Sequence, residues 1–400
     1  MVDFGDQRWG EFVTKRVFLI VLDSLGIGEL PDADIFGDVG SNTLGAISKS
    51  KYFDCKCLTS LGLFNIDGVG GKITNPKGSF AKMKELSKGK DTTVGHWEIA
   101  GLVSSSPLPT YPNGFPEEVI SEYERLTEKK VICNKPYSGT EVIKDYGQES
   151  IDEGALIVYT SADSVFQVAS HVDVVPLKEL YRYCEIARRI LTGKHGVGRV
   201  IARPFAGEYP FVRTADRHDY SIEPPKTTML DVLKENGYDV ISVGKIIDIF
   251  AGRGITESYR IKSNDEGMDV VEKLLSKDFN GLCFVNLVDF DTIYGHRNDI
   301  DGYAKALTEF DVRLSSFISK MNKDDVLIIT ADHGCDPSTP STDHSREYTP
   351  MIIYGNNIKQ GVNLNVRESF SDIASSILSL FKICSKNIDG TSFLNEVYKD

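Results

Sequence analysis

Between residues 291 and 344 the sequence places Asp291-x4-His296, the adjacent pair Asp332-His333, and His344, using three of the seven histidines. Carboxylate and imidazole donors together suit manganese, zinc or iron better than calcium, and no thiolate is required. Each motif alone is commonplace in surface turns. Joined by Asp23 they make six donors, more than one open catalytic ion needs, and two ions with three protein ligands each is the natural division. Such a pair, about 4 Å apart, clamps the attacking and leaving oxygens of an in-line displacement. Two divalent ions against the carboxylates of Asp23, Asp291 and Asp332 leave a locally positive site that welcomes phosphate, although the chain carries a formal charge of −13.

Phosphoryl transfer also needs a nucleophile, and Lys88-Gly-Lys-Asp-Thr-Thr-Val-Gly-His-Trp-Glu98 is the obvious supplier. Asp91 or Thr92 suits the N-cap of a helix, which by itself is a structural role. A hydroxyl at a helix start has a second use, because the free backbone N–H groups there receive a phosphoryl group. Spacing does not separate Thr92 from Thr93. Cys335, two residues beyond His333, reads as a small packing residue, since nearby oxygen and nitrogen donors suffice.

The elements that must position these groups follow from apolar patterning. Arg16 to Leu22 is an almost purely apolar run ending at Asp23, as expected of a strand buried on both faces of a parallel sheet. Similar runs span Tyr238 to Val243, Leu282 to Val288, Val326 to Thr330 and Met351 to Tyr354. Helical spacing occupies about 225–236, 264–277, 302–320 and 370–382. Strand alternating with helix predicts a doubly wound, mostly parallel α/β sheet, whose ligands bind beyond the carboxyl ends of the strands. Asp23, Asp291 with His296, and Asp332 with His333 all follow predicted strands, so one sheet edge collects them. The rhythm breaks between Ser104-Ser-Ser-Pro-Leu-Pro and Ile222-Glu-Pro-Pro, where strand-like Ala155 to Thr160 and Arg199 to Ala202 flank a helical pattern at 177–192. The expected organisation is a core from 1–103 and 223–400 carrying an inserted α+β cap domain at 104–222.

Apolar residues at 41% and charged residues at 26% describe a globular chain. The acidic balance disfavours nucleic acid and anionic membranes, which need basic patches. The opening MVDFGDQRWGEFVTK lacks an apolar run of leader length, and nothing later reads as a membrane span, so a cytoplasmic protein is expected. The seven cysteines are odd in number and form no C-x-x-C pair, which suggests neither disulfides nor structural zinc. No protein partner is indicated.

Six ordered blocks carry a family resemblance. They are Val21-Leu-Asp-Ser-Leu-Gly-Ile-Gly28; Gly89-Lys-Asp-Thr-Thr-Val-Gly-His-Trp-Glu98; Tyr159-Thr-Ser-Ala-Asp163; Gly198-Arg-Val-Ile-Ala-Arg-Pro-Phe205; Asn286-Leu-Val-Asp-Phe-Asp291 with Tyr294-Gly-His296; and Ala331-Asp-His-Gly334 through Thr342-Asp-His-Ser-Arg-Glu347. Together they resemble the phosphopentomutases, members of the alkaline-phosphatase superfamily. The resemblance implies a manganese-dependent isomerase interconverting ribose 1-phosphate and ribose 5-phosphate, and the 2-deoxy equivalents. It places one manganese on Asp23, Asp332 and His333, the other on Asp291, His296 and His344, and the phosphoryl group on Thr92 rather than Thr93. A pentose 1,5-bisphosphate would be the intermediate, and ribose 1,5-bisphosphate or glucose 1,6-bisphosphate would prime the enzyme. Asp163 is expected at ribose hydroxyls, Arg199 and Arg213 near the distal phosphate, and Lys245 as a core-side contact. Each of these four has an alternative role in a surface ion pair. His171, His195 and His218 read as ordinary polar positions. Hydrolysis by the same metal core, a serine-dependent phosphoglycerate mutase of greater length, and a non-catalytic metal-binding relative are the alternatives.

Overall fold

The computed structural model describes residues 14–161, 163–384 and 386–399; most of the opening stretch inspected for a leader lies outside them. The chain divides into two compact units, one made of 1–106, 224–247 and 252–400, the other of 107–223 with 248–251.

Among the described residues fourteen strands occur in chain order: β1 (Arg16–Leu22), β2 (Ser79–Met83), β3 (Val131–Pro136), β4 (Leu156–Thr160), β5 (Val165–His171), β6 (Arg199–Ala206), β7 (Val212–Arg213), β8 (His218–Ser221), β9 (Asp239–Val243), β10 (Glu257–Tyr259), β11 (Gly281–Leu287), β12 (Asp325–Thr330), β13 (Thr349–Gly355) and β14 (Asn363–Arg367). The larger unit holds an eight-stranded sheet in the order β10-β9-β11-β1-β12-β13-β2-β14. Its first five strands run parallel, and β13 alone opposes its neighbours. The sheet is therefore mostly parallel and of the doubly wound α/β class. Every residue of β1, β11 and β12 is buried, which explains why each reads as a mainly apolar run. Arg16 is the polar exception in β1. Its guanidinium is sealed by a bidentate pair with Asp325 and by the carbonyls of Leu274, Leu275 and Lys277.

Register decides where the chemistry sits. Val21 pairs with Asn286 on one side and Thr330 on the other, so β1, β11 and β12 end level. Asp23, Asp291 and Asp332 come just beyond those ends, and Lys245 follows the next strand along, β9. Below the rim, one core cluster joins sheet residues such as Phe18, Ile20, Val285 and Ile329 to the Ile300–Lys320 helix through Tyr303, Leu307, Phe310 and Leu314.

The smaller unit has its own six-stranded sheet, β3-β4-β5-β6-β7 with β8 also on β6, and two hydrophobic clusters of its own. The Leu177–Ile190 helix packs on it through Leu180, Tyr183, Cys184 and Ala187.

Candidate metal centre

Three loops and one helix converge at the rim of the larger sheet. Asp23 leaves β1 and is followed by Ser24 in the left-handed region at φ 71°, a conformation that costs a non-glycine residue energy. The turn is held because Ser24 N–H donates to Asp332 Oδ1 at 3.1 Å and Asp23 N–H to the Leu287 carbonyl at 3.3 Å. Asp291 lies in a π-type turn, Phe290–Tyr294, immediately ahead of His296. Such wide turns recur at functional sites. Asp332 and His333 follow β12, and His344 arrives on the loop before β13.

Thr92 opens the helix Thr92–Ile99, with Asp91 as its N-cap accepting from the Val94 N–H at 3.1 Å. The capping role and the hydroxyl role thus fall to different residues. Thr92 Oγ1 is hydrogen-bonded to His333 Nε2 at 3.1 Å, whereas Thr93 has no such contact with the cluster. The helix lies against Asp332 so closely that a Cβ on Gly95 would come 2.3 Å from the Asp332 carbonyl oxygen.

The three histidines share one device. The Nδ1–H of His333 donates to the Gly334 carbonyl at 3.1 Å, that of His296 to Thr342 at 2.6 Å, and that of His344 to Lys90 at 2.8 Å. Each ring therefore presents Nε2 to the site in a fixed orientation, the usual support of a metal-binding imidazole. The rings of His333 and His344 stack at 3.8 Å between centroids, those of His296 and His344 at 4.9 Å. Ligand-competent atoms gather as Asp23–Asp332–His333, Asp291–His333–His344 and Asp291–His296–Cys335, each group within 4.8 Å. All six expected donors fall in these groups, with Asp291 and His333 each shared between two and His296 grouped with Cys335.

Electrostatics show what the cluster lacks. Asp23 Oδ1, Asp291 Oδ1, Asp332 Oδ2 and His344 Nε2 are buried without a hydrogen-bond partner. Buried acceptors without a hydrogen bond are costly, and with Asp23 and Asp332 in one group and Asp291 and His344 in another they fit bound cations. Burial, and then the charges of Asp332 and Asp291, pushes Asp23 up to about 6. Burial also opposes ionisation of Asp291, but the imidazoles of His344, His296 and His333 outweigh it and hold that carboxyl well below its ordinary range. The hydrogen bonds to Asp291 and then Cys335 lift His296 to about 11. For His333, burial is outweighed by Asp332, Asp23 and Asp291, and its pKa stands well above the histidine norm.

The chain matches the model of the Metalloenzyme superfamily over residues 15–384. It is 62% identical to a phosphopentomutase of Lachnoclostridium phytofermentans over 96% of this chain and all of that protein. Phosphopentomutases of Clostridium kluyveri and Caldanaerobacter subterraneus are 55% and 54% identical over the same share of the chain and 100% and 98% of their own lengths. The chain belongs to the phosphopentomutase family. It is accordingly an isomerase that moves a phosphoryl group, and a metal-dependent one. A solved phosphoglycerate mutase of Leishmania mexicana aligns over 98% of the chain and 99% of its own at 10% identity and TM-score 0.49, too distant to bear on activity.

For a phosphopentomutase, the supporting residues are as telling as the donors. His96, one turn after Thr92 and fully buried, donates from Nδ1 to the Thr92 carbonyl at 2.9 Å and lies 3.1 Å from Asp332 Oδ2. The Asn286 amide donates to Asp23 Oδ2 at 2.9 Å and lies 3.3 Å from His96 Nε2. Buried Glu347 accepts from Gly28 N–H, Thr43 N–H, Thr43 Oγ1 and Ser345 Oγ, tying the loop after β1 to the one carrying His344. Arg346 bonds Glu85 at 2.5 Å, the Gly89 carbonyl at 2.6 Å, and Asp32. None of these four was singled out from sequence. Two signals were present: Asn286 interrupts an apolar strand, and His96 is four residues, one helical turn, from Thr92.

Of the expected substrate contacts, Lys245 belongs to the larger unit, and its charge acts on Asp23. Asp163, Arg199 and Arg213 belong to the smaller unit. There Arg199 lies 3.6 Å from Asp219, and Arg213 donates to the Gly139 carbonyl at 3.0 Å. His171, His195 and His218 contact the Gly207 carbonyl, Glu118 with Tyr111, and the rings of Tyr181 and Tyr220 respectively. Among the described residues no helix is long and apolar enough to cross a membrane.

Proposed function

We propose that the chain interconverts ribose 1-phosphate and ribose 5-phosphate, and the 2-deoxyribose pair, through a phosphorylated Thr92 and a pentose 1,5-bisphosphate. The observation that carries this reading is the Thr92 hydroxyl: it sits at a helix start, 3.1 Å from His333 Nε2, beside a buried cluster of carboxylates and imidazoles in which four atoms make no hydrogen bond. Asp23, Asp332 and His333 would hold one manganese, and Asp291, His296 and His344 the second. Bound there, the ions would supply a lowered hydroxyl pKa at Thr92 and positive charge for the phosphoryl oxygens.

The chain's own residues supply position. Asp91 caps the helix so that Thr92 stays at its first turn, and His96 holds the Thr92 carbonyl. Phosphothreonine gives its phosphoryl group to the free hydroxyl of a bound pentose monophosphate; the hydroxyl loses its proton as the new P–O bond forms and Thr92 Oγ1 leaves. Return of the other phosphoryl group completes the isomerisation, so a catalytic amount of ribose 1,5-bisphosphate or glucose 1,6-bisphosphate primes the enzyme. Asp163, Arg199, Arg213 and Lys245 recognise the sugar and its distal phosphate, for which arginine's paired donors suit. The acidic surface favours neither nucleic acid nor membrane, and the reaction belongs in the cytoplasm.

The test is ribose 1-phosphate incubated with manganese and a trace of bisphosphate, with ribose 5-phosphate and inorganic phosphate measured together. Ribose 5-phosphate is expected in near-stoichiometric yield. Inorganic phosphate without ribose 5-phosphate would identify a hydrolase.

A further inference from the structure

The centre contains one donor that the manganese reading leaves idle. Cys335 is 1% exposed, and its Sγ, a carboxylate oxygen of Asp291 and a ring nitrogen of His296 lie within 4.8 Å of one another. Among the described residues it is the only cysteine in such a group. The surroundings fix it in place. Cys335 N–H donates to Thr43 Oγ1 at 3.1 Å, and a Cβ on Gly295 would lie 3.0 Å from Sγ, so the turn bearing His296 runs directly over the sulfur. The thiol donates a weak hydrogen bond to the Asp343 carbonyl at 3.5 Å, and its sulfur neighbours the His296 ring.

Its neighbours are ready for a ligand. Asp291 is 3% exposed; its Oδ1 makes no hydrogen bond and lies 3.4 Å from His344 Nε2, while His296 Nδ1 is committed to Thr342 and its Nε2 faces Asp291 Oδ2 at 3.2 Å. A carboxylate, an imidazole and a sulfur converging on one point are the donors that tetrahedral zinc or cadmium takes, with solvent or a phosphate oxygen in the fourth place. Manganese, harder and satisfied by oxygen and nitrogen, gains little from sulfur.

We propose that Asp291, His296 and Cys335 form a thiolate-containing site for a soft or borderline divalent ion, zinc or cadmium, that overlaps one of the two manganese positions. Binding forms metal–sulfur and metal–nitrogen bonds and releases the thiol proton and the His296 Nε2 proton to solvent, with no change of oxidation state. Because Asp291 and His296 are shared, the soft ion and that manganese exclude each other. The enzyme therefore carries a built-in point of inhibition by soft metals. The overlap rests on the manganese assignment above; the thiolate site itself does not.

Cadmium titration of metal-free protein, followed by the ultraviolet thiolate-to-cadmium charge-transfer band, tests the proposal. All proteins carry C384A to remove the exposed cysteine. The expected result is a band saturating at one equivalent, suppressed by excess manganese and lost in both C335S and C335A, with folding checked by circular dichroism. A band that survives in either variant, or none in the parent protein, overturns the proposal. Should both variants fail to fold, cadmium NMR of the parent decides, since one sulfur donor moves the resonance far downfield of an all-oxygen-and-nitrogen site and an unshifted resonance defeats the idea. Manganese binding, read by the loss of the free-ion electron paramagnetic resonance signal, separates the two claims. Normal manganese uptake without a thiolate band refutes the soft-metal site alone, and absent manganese uptake refutes the assignment it overlaps.

Discussion

Thr92 and its neighbour Thr93 are both half-buried, but Thr92 alone of the two bonds His333, and the difference is measurable. Thr92→Ala removes the hydroxyl that bonds His333 and should abolish pentose phosphate turnover, by roughly four orders of magnitude or more, the scale on which loss of a nucleophile acts. Manganese should still bind. Thr93→Ala should stay within a few-fold of the parent, and equal losses in both variants would remove Thr92 from its role. His96 acts through others: it touches the Thr92 carbonyl and lies beside Asp332 and Asn286. His96→Ala should cost about 10–100-fold in turnover and in manganese affinity, as losses of supporting hydrogen bonds around metal ligands do. His96→Asn, which keeps a donor near the Thr92 carbonyl, should recover part of both. A purely packing role for the ring would instead lower the melting temperature and leave manganese affinity unchanged. The six donors were legible because carboxylates and imidazoles beyond apolar strands are conspicuous. His96 and Asn286 were not, because a group whose work is to hold another side chain has no motif of its own.

At the scale of elements, the helix Thr92–Ile99 is placed by contact rather than by intrinsic preference. Replacing a helix-interior glycine by alanine ordinarily stabilises by about 1 kcal/mol. At Gly95 the added methyl would lie 2.3 Å from the Asp332 carbonyl oxygen, a backbone atom that cannot rotate away. Overpacking of this kind typically costs about 1–3 kcal/mol. The expected sign is therefore reversed: Gly95→Ala should destabilise in urea unfolding and lower turnover by moving Thr92 relative to His333. A stabilised variant with full activity would show that the helix has slack. The strands divide in the same physical way. β1, β9, β11 and β12 were readable because a central parallel strand must be apolar on both faces. β2, with the sequence Ser-Phe-Ala-Lys-Met, and β14, Asn-Leu-Asn-Val-Arg, are short and partly polar, and their pairing joins residues nearly 300 positions apart. Nothing local announces such a partner.

Taken as a whole, the larger unit is built around a centre that folding alone leaves unsatisfied, and metal removal should expose that debt with a definite pH dependence. Asp23, raised to about 6, and His296, raised to about 11, both bind protons more tightly in the metal-free fold than in the unfolded chain. A raised pKa contributes stability that is complete below the unfolded value and lost as pH climbs through the folded one. For Asp23 the loss runs from about pH 4 to beyond 6, and for His296 from about pH 6.5 to 11. The metal-free protein should therefore weaken steadily from pH 5 to pH 9. A divalent ion at this centre should reverse the trend, because it would bind the deprotonated groups and so gain affinity as pH rises. With metal about 1,000-fold above its dissociation constant, one site adds about 4 kcal/mol, which for a unit of this size is on the order of 10 °C in melting temperature. Thermal scans with and without chelator should thus show a gap that is small at pH 5 and widens at pH 8. Calorimetry at pH 7 in buffers of different ionisation enthalpy should show protons released on manganese binding, about two if His296 and His333 both give theirs up. A gap that is constant with pH, or binding without proton release, would mean that these imidazoles do not receive the ions. The acidic chain and its anionic substrate could then not be reconciled at this rim, since without cations the same three carboxylates repel phosphate.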